Sequence, residues 1–293
     1  MNNNGPLTPN QQYNQSIVEE YLESQRLESL KNKASPLTIR TYRYQLKTII
    51  NLDKKINELT YEDVKDLINS KQHLKKRTRM NFISTLSSLF TFCVKKGYMS
   101  KVLIKKRWRI KPDKLLPKPL SRIQRAELRV LAEEFCDRDR AIIELLLSSG
   151  CRVNEASQLN VGDFDFEHKK VIVLGKRSKK RPVYFSDTAA MLLRRISQGR
   201  DADSPMFVNK YGNRLSNRGI YSIVNCAGLQ METIDDYVGP HRLRHTFGSH
   251  QLSNGADLVD VANDMGHVDV QTTLGYAKNL DEDLIIKFHK RMG

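Results

Sequence analysis

Apolar positions recur with helical periodicity through the first hundred residues of this 293-residue chain. The pattern predicts four helices joined by short connections, which is typical of a small all-α bundle. Local signals mark the helix ends: a side-chain cap before a start, acidic residues in a first turn, and a glycine after a last turn. The predicted helices begin near Gln15, at Ser35-Pro36, after Thr60 with Glu62 and Asp63 in the first turn, and at Lys76, and Gly97 ends the last of them.

Two stretches flank this predicted bundle of residues 15–100. Residues 1–14 are rich in asparagine and contain Pro6 and Pro9, a composition typical of a disordered tail. Residues 101–118 carry many basic side chains together with Pro112 and Pro117, which predicts an extended basic linker. The next domain is therefore expected from residue 119 onward.

Residues 119–293 combine helical periodicity with one short region of strand alternation. Residues 170–174 and 181–185 alternate in the manner of two strands, and the basic segment between them predicts the tip of a β-hairpin. The expected fold is therefore mainly α with a small antiparallel β-sheet, an α+β class in two domains. Helices are predicted at residues 121–134, 138–149, 153–159, 187–197, 217–227, 241–253, 257–265, 270–276 and 281–291.

The formal net charge is +16, and it is concentrated in the first part of the chain. Residues 1–118 have 24 lysines and arginines against 10 acidic residues, whereas residues 119–293 have 25 against 23. A solvated lysine-rich surface is the ordinary explanation, but the uneven distribution favours a polyanion partner, of which nucleic acid is the commonest. The candidate DNA-binding residues are Arg40, Arg43, Lys75, Lys76, Arg77, Arg79, Lys105, Lys106, Arg107 and Arg109.

Several classes of protein are disfavoured by what the sequence lacks. It has no run of about eighteen apolar residues and no secretory leader, so we expect a cytoplasmic protein without membrane contact. The four cysteines form no Cys-x-x-Cys pair, and the seven histidines form no His-Glu-x-x-His motif. A phosphate-binding glycine loop is also missing. The chain is therefore expected to need no metal and no cofactor.

The second domain contains a dispersed set of residues suited to phosphodiester chemistry. Each has an ordinary explanation by itself: Arg152 and Glu155, three residues apart, form a common helix-surface pair, and a tyrosine is more often a half-buried aromatic. Together they supply forked donors for phosphate oxygens, imidazoles that carry protons, and a phenol nucleophile. The candidate catalytic residues are Arg152, Lys176, His241, Arg244, His267 and Tyr276, with Glu155 in a supporting role.

Order and spacing connect these residues to a known family. The chain carries Gly150-Cys151-Arg152-Val153-Asn154-Glu155, His241-Arg242-Leu243-Arg244-His245 and Met265-Gly266-His267, with Tyr276 nine residues after that last histidine. The series resembles the motifs of the tyrosine recombinases, the phage integrase family, and within it the Xer-like and transposon-encoded members. Ser149, Cys151 and Met265 replace the residues usual in the family, and none of these changes removes a reactive group.

The resemblance implies a fold and a mechanism. The first domain is expected to be a four-helix, SAM-like core-binding domain and the second the catalytic domain. Tyr276 is implied to attack the phosphodiester and to form a 3′-phosphotyrosyl intermediate, while Arg152 and Arg244 clamp the phosphate oxygens. The two motif histidines are implied to hydrogen-bond the phosphate, with His241 the better proton acceptor and His267 its companion.

Other implied features concern the hairpin and the end of the chain. A hairpin lysine is implied to protonate the leaving 5′ oxygen; it maps to Lys176, although Lys179 and Lys180 stay open. The predicted helix at residues 281–291 is implied to dock on a neighbouring subunit, which gives a homo-tetramer on two synapsed DNA sites. Accessory DNA-binding proteins are compatible with this arrangement.

Two other functions compete with a site-specific recombinase that acts at short inverted-repeat core sites. A type IB topoisomerase-like enzyme uses the same chemistry on one duplex, and an architectural or regulatory DNA-binding protein would keep the catalytic residues as vestiges. The two-domain size and the predicted helix at residues 281–291 favour recombination over topoisomerase action, and the retention of every reactive group argues against a purely architectural or regulatory protein. The sequence leaves open integration, excision, cointegrate resolution and chromosome-dimer resolution. Because residues 1–14 are too few for a separate arm-binding domain, a simple core site is expected.

Overall fold

The protein forms two compact units, Met1–Lys114 and Leu115–Gly293. The structure, a computed structural model, describes residues 6–30, 36–108, 118–175 and 180–266. Within these residues the secondary structure is helical apart from one three-stranded antiparallel sheet and two isolated bridges. The predicted class, mainly α with a small antiparallel sheet in two domains, is confirmed.

The N-terminal unit contains the four predicted helices. Each buries an apolar stripe in a common core, in which Tyr21, Leu46, Leu86 and Phe90 are fully buried. Two short 3₁₀ turns, Ile56–Glu58 and Lys106–Trp108, lie between α2 and α3 and after α4. The helices are α1 (Pro9–Leu30), α2 (Pro36–Ile50), α3 (Tyr61–Asn69) and α4 (Lys76–Lys95).

The start of α1 corrects the predicted disordered tail. The helix begins at Pro9, so residues 9–14 are helical, whereas the sequence composition predicts disorder there. The reason is Asn14, which is buried and donates from Nδ2 to the carbonyl oxygen of Lys54 at 3.0 Å. Its Oδ1 accepts from the backbone N–H of Ile56 at 2.8 Å. A polar side chain that hydrogen-bonds main-chain groups of a distant loop cannot be detected from the pattern of apolar positions. The prediction of disorder for residues 9–14 was therefore wrong.

The C-terminal unit is built around α6 (Asp137–Ser149). This helix is apolar on nearly all sides, with Ile142, Leu145 and Leu146 fully buried, and α5 (Arg122–Glu133), α8 (Asp187–Ser197) and α10 (Pro240–Ser253) pack on it. Such a helix is the centre of a domain core. The helices are α5 (Arg122–Glu133), α6 (Asp137–Ser149), α7 (Val153–Gln158), α8 (Asp187–Ser197), α9 (Asn217–Leu229), α10 (Pro240–Ser253) and α11 (Leu258–Met265), with a 3₁₀ turn at Val161–Asp163.

The sheet has the order β1-β2-β3, and its strands are antiparallel. The predicted hairpin is present as β2 (Lys170–Leu174) and β3 (Lys180–Tyr184), in a register that places Val171 opposite Val183. Strand β1 (Phe164–Asp165) was not predicted, because two residues are too short to show a period. The hairpin tip, residues 176–179, and the helices predicted at 270–276 and 281–291 lie outside the described residues.

Helix length and polarity bear on membrane insertion. Across the four described ranges, no helix is both long enough and apolar enough to cross a membrane.

Candidate active site

A left-handed turn between α6 and α7 positions the first candidate arginine. α6 ends at Gly150, whose φ of 60° favours glycine. A Cβ at this position would clash with the ring of Phe247, so α10 packs directly against the turn. Arg152 follows as the residue that precedes α7. The turn therefore places Arg152 directly before α7, next to the part of α10 that contains Phe247.

Arg152 is held by one carboxylate and one carbonyl. Its Nη1 donates to Oε1 of Glu155 at 2.8 Å, as the i, i+3 spacing predicts, and its Nη2 donates to the carbonyl oxygen of Gly266 at 2.8 Å. The Arg152 backbone N–H also donates to Oε2 of Glu155 at 2.7 Å. The side chain remains 30% exposed, whereas that of Glu155 is 3% exposed. Arg152 is thus fixed in direction while part of its guanidinium faces solvent.

A second arginine, which the sequence prediction missed, holds the same carboxylate. Arg181 of β3 donates from Nη1 and Nη2 to the two oxygens of Glu155, each at 2.9 Å. Burial acts to raise the pKa of Glu155, but the hydrogen bonds and charges of Arg181 and Arg152 outweigh it and hold that pKa below its ordinary value. The available signal was an arginine on the inward-facing side of a strand, two residues from buried Val183.

Helix α10 positions the other described candidates, His241 in its first turn and Arg244 at the start of its second. Arg244 is 3% exposed; its Nη1 donates to the carbonyl oxygen of Gly150 at 2.6 Å and its Nη2 to that of Met265. His241 lies at the surface, with its ring centroid 4.2 Å from that of His245. Loss of water around the ring, and then the charges of Arg244 and Arg152, lower the pKa of His241. Its imidazole is therefore neutral at neutral pH and able to accept a proton.

The structure brings three of the six predicted catalytic residues together. Arg152 and Arg244 reach consecutive carbonyl oxygens at the end of α11, and both charges act on His241. The other three, Lys176, His267 and Tyr276, lie outside the described residues. Among the described residues, no group of three His, Cys, Asp or Glu side chains could hold a metal ion. Two anchored guanidiniums beside a neutral imidazole can bind a phosphodiester and accept a proton next to it.

The candidate DNA-binding residues lie at three places in the N-terminal unit. Arg40 and Arg43 are exposed on α2, where Tyr44 and Lys47 are exposed as well. Sequence reasoning omitted the last two, although their spacing from Arg40 places them on the same helix face. The remaining described candidates are Lys75, which precedes α4, Lys76, Arg77 and Arg79 in the first turn of α4, and Lys105, Lys106 and Arg107 beside the second 3₁₀ turn. Arg109 lies outside the described residues.

Some of these basic side chains have partners within the protein. Arg43 pairs with Glu19 at 3.1 Å, and the Lys105 Nζ lies 4.6 Å from the centroid of the Tyr61 ring. Four basic residues lie in or just before the first turn of α4, and this turn contains no acidic residue. Positive charge is unfavourable at a helix N-terminus by about 0.3–1 kcal/mol per residue. An anion bound at this position would offset that cost.

Comparison with known proteins assigns this chain to a family. The model of the phage integrase family matches residues 121–283, and that of the phage integrase N-terminal SAM-like domain matches residues 18–97. Tyrosine recombinase XerC of Oceanobacillus iheyensis is 30% identical over 286 residues, which cover 89% of this chain and 93% of that protein. Tyrosine recombinase XerD of Staphylococcus epidermidis is 33% identical over 300 residues, which cover 94% and 99%. The chain therefore belongs to the phage integrase family of tyrosine recombinases, enzymes that cleave and rejoin DNA.

A solved structure has the same fold. XerH site-specific recombinase, bound to palindromic difH substrate in a post-cleavage complex, has a TM-score of 0.69 to this chain at 22% identity. The match covers 95% of this chain and 89% of that one. The likeness therefore includes both units, each in the family's architecture.

Proposed function

We propose that this protein is a site-specific DNA recombinase that cleaves and rejoins strands at short inverted-repeat core sites through a 3′-phosphotyrosyl intermediate. The observation that carries the proposal is the convergence of Arg152 and Arg244 on adjacent carbonyl oxygens beside His241. Residues this far apart in sequence are gathered at one point only if the fold holds them there. The similarity to XerC and XerD recombinases supports the same function, which serves integration, excision or resolution.

In the cleavage step, Tyr276 gives its phenolic proton to His241 and its oxygen attacks the phosphorus. A phenol with a reference pKa of about 10 needs such a base at neutral pH. As the new oxygen–phosphorus bond forms, the bond to the 5′ oxygen breaks, and Lys176 protonates that leaving group. The charge that develops on the phosphate oxygens is stabilised by Arg152 and Arg244.

Rejoining reverses these steps. The 5′ hydroxyl of another strand attacks the phosphotyrosyl phosphorus while its proton returns to Lys176, and the Tyr276 oxygen leaves with the proton held by His241. The bond energy is conserved in the phosphotyrosyl link, so no nucleotide is consumed. His267 is assigned to hydrogen-bond the phosphate throughout.

Most DNA affinity is assigned to the N-terminal unit. Support comes from the net charge, which is almost entirely carried by residues 1–118, and from the four basic residues in or just before the first turn of α4. Exposed cations attract the phosphate backbone through counterion release, which is independent of sequence. XerH was solved on a palindromic DNA, which supports an inverted-repeat site for this chain as well.

The proposed assembly is a homo-tetramer on two DNA sites, in the cytoplasm, with accessory DNA-binding proteins as further partners. In the helix predicted from sequence at residues 281–291, Leu284, Ile285 and Phe288 would share one apolar stripe, which supports docking on a neighbouring subunit. Truncation after Leu280 is expected to weaken cooperative assembly in a gel-shift titration and to spare binding to a single half-site. Unchanged cooperativity would contradict this assembly.

A suicide substrate with a nick next to the cleavage point tests the function. The wild-type protein is expected to form a covalent adduct at the 3′ phosphate and to ligate the strand to a foreign 5′ hydroxyl in a synapsed complex. Adduct formation with resealing of a single duplex, and no exchange between two sites, would favour a topoisomerase-like activity. Binding without any adduct would favour an architectural role.

A further inference from the structure

Arg181 connects three elements of the C-terminal unit. It belongs to β3, its guanidinium holds Glu155 of α7 with two bonds of 2.9 Å, and its Nε donates to the carbonyl oxygen of Asp264 in α11 at 2.9 Å. The side chain is 13% exposed. A Cβ at Gly266 would lie 3.0 Å from the Arg181 Cζ, so the guanidinium lies flat against the turn that ends α11. This is the turn whose carbonyl oxygens hold Arg152 and Arg244.

We propose that Arg181 is a positioning residue for strand cleavage. It fixes the orientation of the Glu155 carboxylate relative to the end of α11, and that carboxylate in turn fixes the orientation of Arg152. The inference rests on the proposed function, in which Arg152 binds the scissile phosphate. Each oxygen of Glu155 accepts one bond from Arg181 and one from Arg152. The planar fork of Arg181 therefore sets the plane of the carboxylate, and the direction of Arg152 follows from it.

The charge balance favours this role over fold stabilisation alone. Two guanidiniums share one buried carboxylate, which leaves one positive charge in excess among them. A carboxylate that served stability alone would be satisfied by a single arginine, because burial penalises any charge that is not neutralised. The second arginine is explained if Glu155 must stay fixed while Arg152 turns its remaining donors to a phosphate.

Direct contact between Arg181 and DNA is the competing role. All three nitrogens of its guanidinium group already donate to protein oxygens. Its small exposed fraction also distinguishes it from Arg152, whose side chain is 30% exposed. The geometry therefore favours action through Glu155.

The test compares R181Q and R181K in the full-length protein by single-turnover cleavage of the nicked substrate at saturating protein. R181Q is expected to slow cleavage about 10²-fold, the cost of a misplaced reacting geometry. R181K should lose about tenfold, because an ammonium keeps the charge but not the planar fork. Half-site affinity should stay at the wild-type value for both. The rates are compared below the melting temperature of each variant, because the loss of a partner from a buried ion pair lowers stability. The matched control R195A, which breaks an exposed pair with Asp137, should cleave at the wild-type rate.

A double-mutant cycle shows whether Arg181 acts through Glu155. The R181Q/E155Q protein should be no slower than the slower single variant, because both changes break one network. If the rate losses of the two single variants multiply in the double variant, the proposal is overturned. R181Q cleavage within about threefold of the wild-type rate would also overturn it. The same holds if R181Q loses half-site affinity in parallel with cleavage. If R181Q does not fold, R181K decides: folded R181K that cleaves at the full rate also overturns it. Failure of the proposed function itself would differ, since the wild-type protein would then form no adduct.

Discussion

The two units hold positive charge in opposite ways. In the N-terminal unit basic side chains are exposed on helices; that of Arg43 is 58% exposed even though it pairs with Glu19. In the C-terminal unit Arg244 is 3% exposed and bonded to main-chain oxygens. Exposed charges act over a Debye length of about 8 Å and are weakened by salt, whereas fixed, partly desolvated donors act at hydrogen-bond distance and are screened much less. Attraction and chemistry can therefore be changed separately.

The largest expected effect separates DNA binding from strand cleavage completely. Tyr276→Phe removes the nucleophile without removing charge, so the covalent adduct should disappear while half-site affinity stays unchanged. Denaturing electrophoresis of the suicide-substrate reaction measures the first quantity, and a gel-shift titration measures the second. An adduct that persists would require another nucleophile, with exposed Tyr237 the nearest alternative in sequence.

Arg244→Ala should be the next largest change. By analogy with the loss of one oxyanion-hole donor, cleavage should slow by roughly 10²- to 10³-fold, because the developing phosphate charge loses a fixed donor. Single-turnover cleavage at saturating protein measures the effect, with Arg195→Ala as the surface control. Cleavage by Arg244→Ala at a near wild-type rate would remove Arg244 from the mechanism.

Neutralising the basic residues at the start of α4 should weaken DNA binding and leave cleavage at saturating protein unchanged. Replacement of Lys75, Lys76, Arg77 and Arg79 by glutamine should weaken DNA binding by about 10- to 10²-fold. The slope of log affinity against log salt should become shallower by about 0.9 for each phosphate that the variant no longer neutralises. Cleavage at saturating protein should be retained, and Lys65→Gln on α3 serves as the control. An unchanged salt slope would show that these residues do not touch the DNA backbone.

A smaller effect is expected in the pH dependence of cleavage, whose acid limb is set by the pKa of His241. His241 must be neutral to accept a proton, and its pKa lies below the ordinary 6.5. A lowered pKa keeps the imidazole neutral at more acidic pH, so the acid limb of kcat/KM for cleavage, which reports the free protein, should have its midpoint below 6.5. His241→Gln should abolish this limb. A midpoint above 6.5 would contradict the role of His241 as the base.

The smallest expected change concerns the stability of the N-terminal unit alone. Asn14→Ala leaves buried main-chain groups without partners, and it should lower the free energy of unfolding by about 1–3 kcal/mol. Urea denaturation followed by the fluorescence of Trp108, the single tryptophan, reports on this unit. Gln15→Ala, at an exposed position on the same helix, should have no effect. Equal effects of the two changes would contradict the anchoring role of Asn14.

Local signals account for what the sequence predicted well. The side chain of Thr60 accepts from the N–H of Asp63, whose carboxylate accepts from the N–H of Thr60 in return, and α8 occupies the predicted residues 187–197. Caps and apolar periodicity are written within a few residues of the element that they determine. The order of the catalytic motifs was also visible in the sequence, and the family was recognised from it.

The missed features depend on contacts between distant residues. Asn14 bonds to residues about 40 positions away, and Arg181 bonds to Asp264, which lies 83 residues further on. Neither contact follows from periodicity. Arg181 was noticed only as part of a basic hairpin, because its inward direction depends on the sheet and its partner depends on α7. The residues that organise a site are thus harder to predict than those that react in it.

The carbonyl anchors at the end of α11 have an evolutionary consequence. Arg152 and Arg244 are held by the main-chain oxygens of Gly266 and Met265, and a main-chain oxygen is the same whatever side chain the residue carries. Position 265 can therefore accept other apolar side chains that fit its buried site without loss of the anchor. Gly266 has no such latitude, because its φ of 62° disfavours any residue with a Cβ. The side chain at position 265 can thus vary, whereas the backbone conformation at position 266 requires glycine.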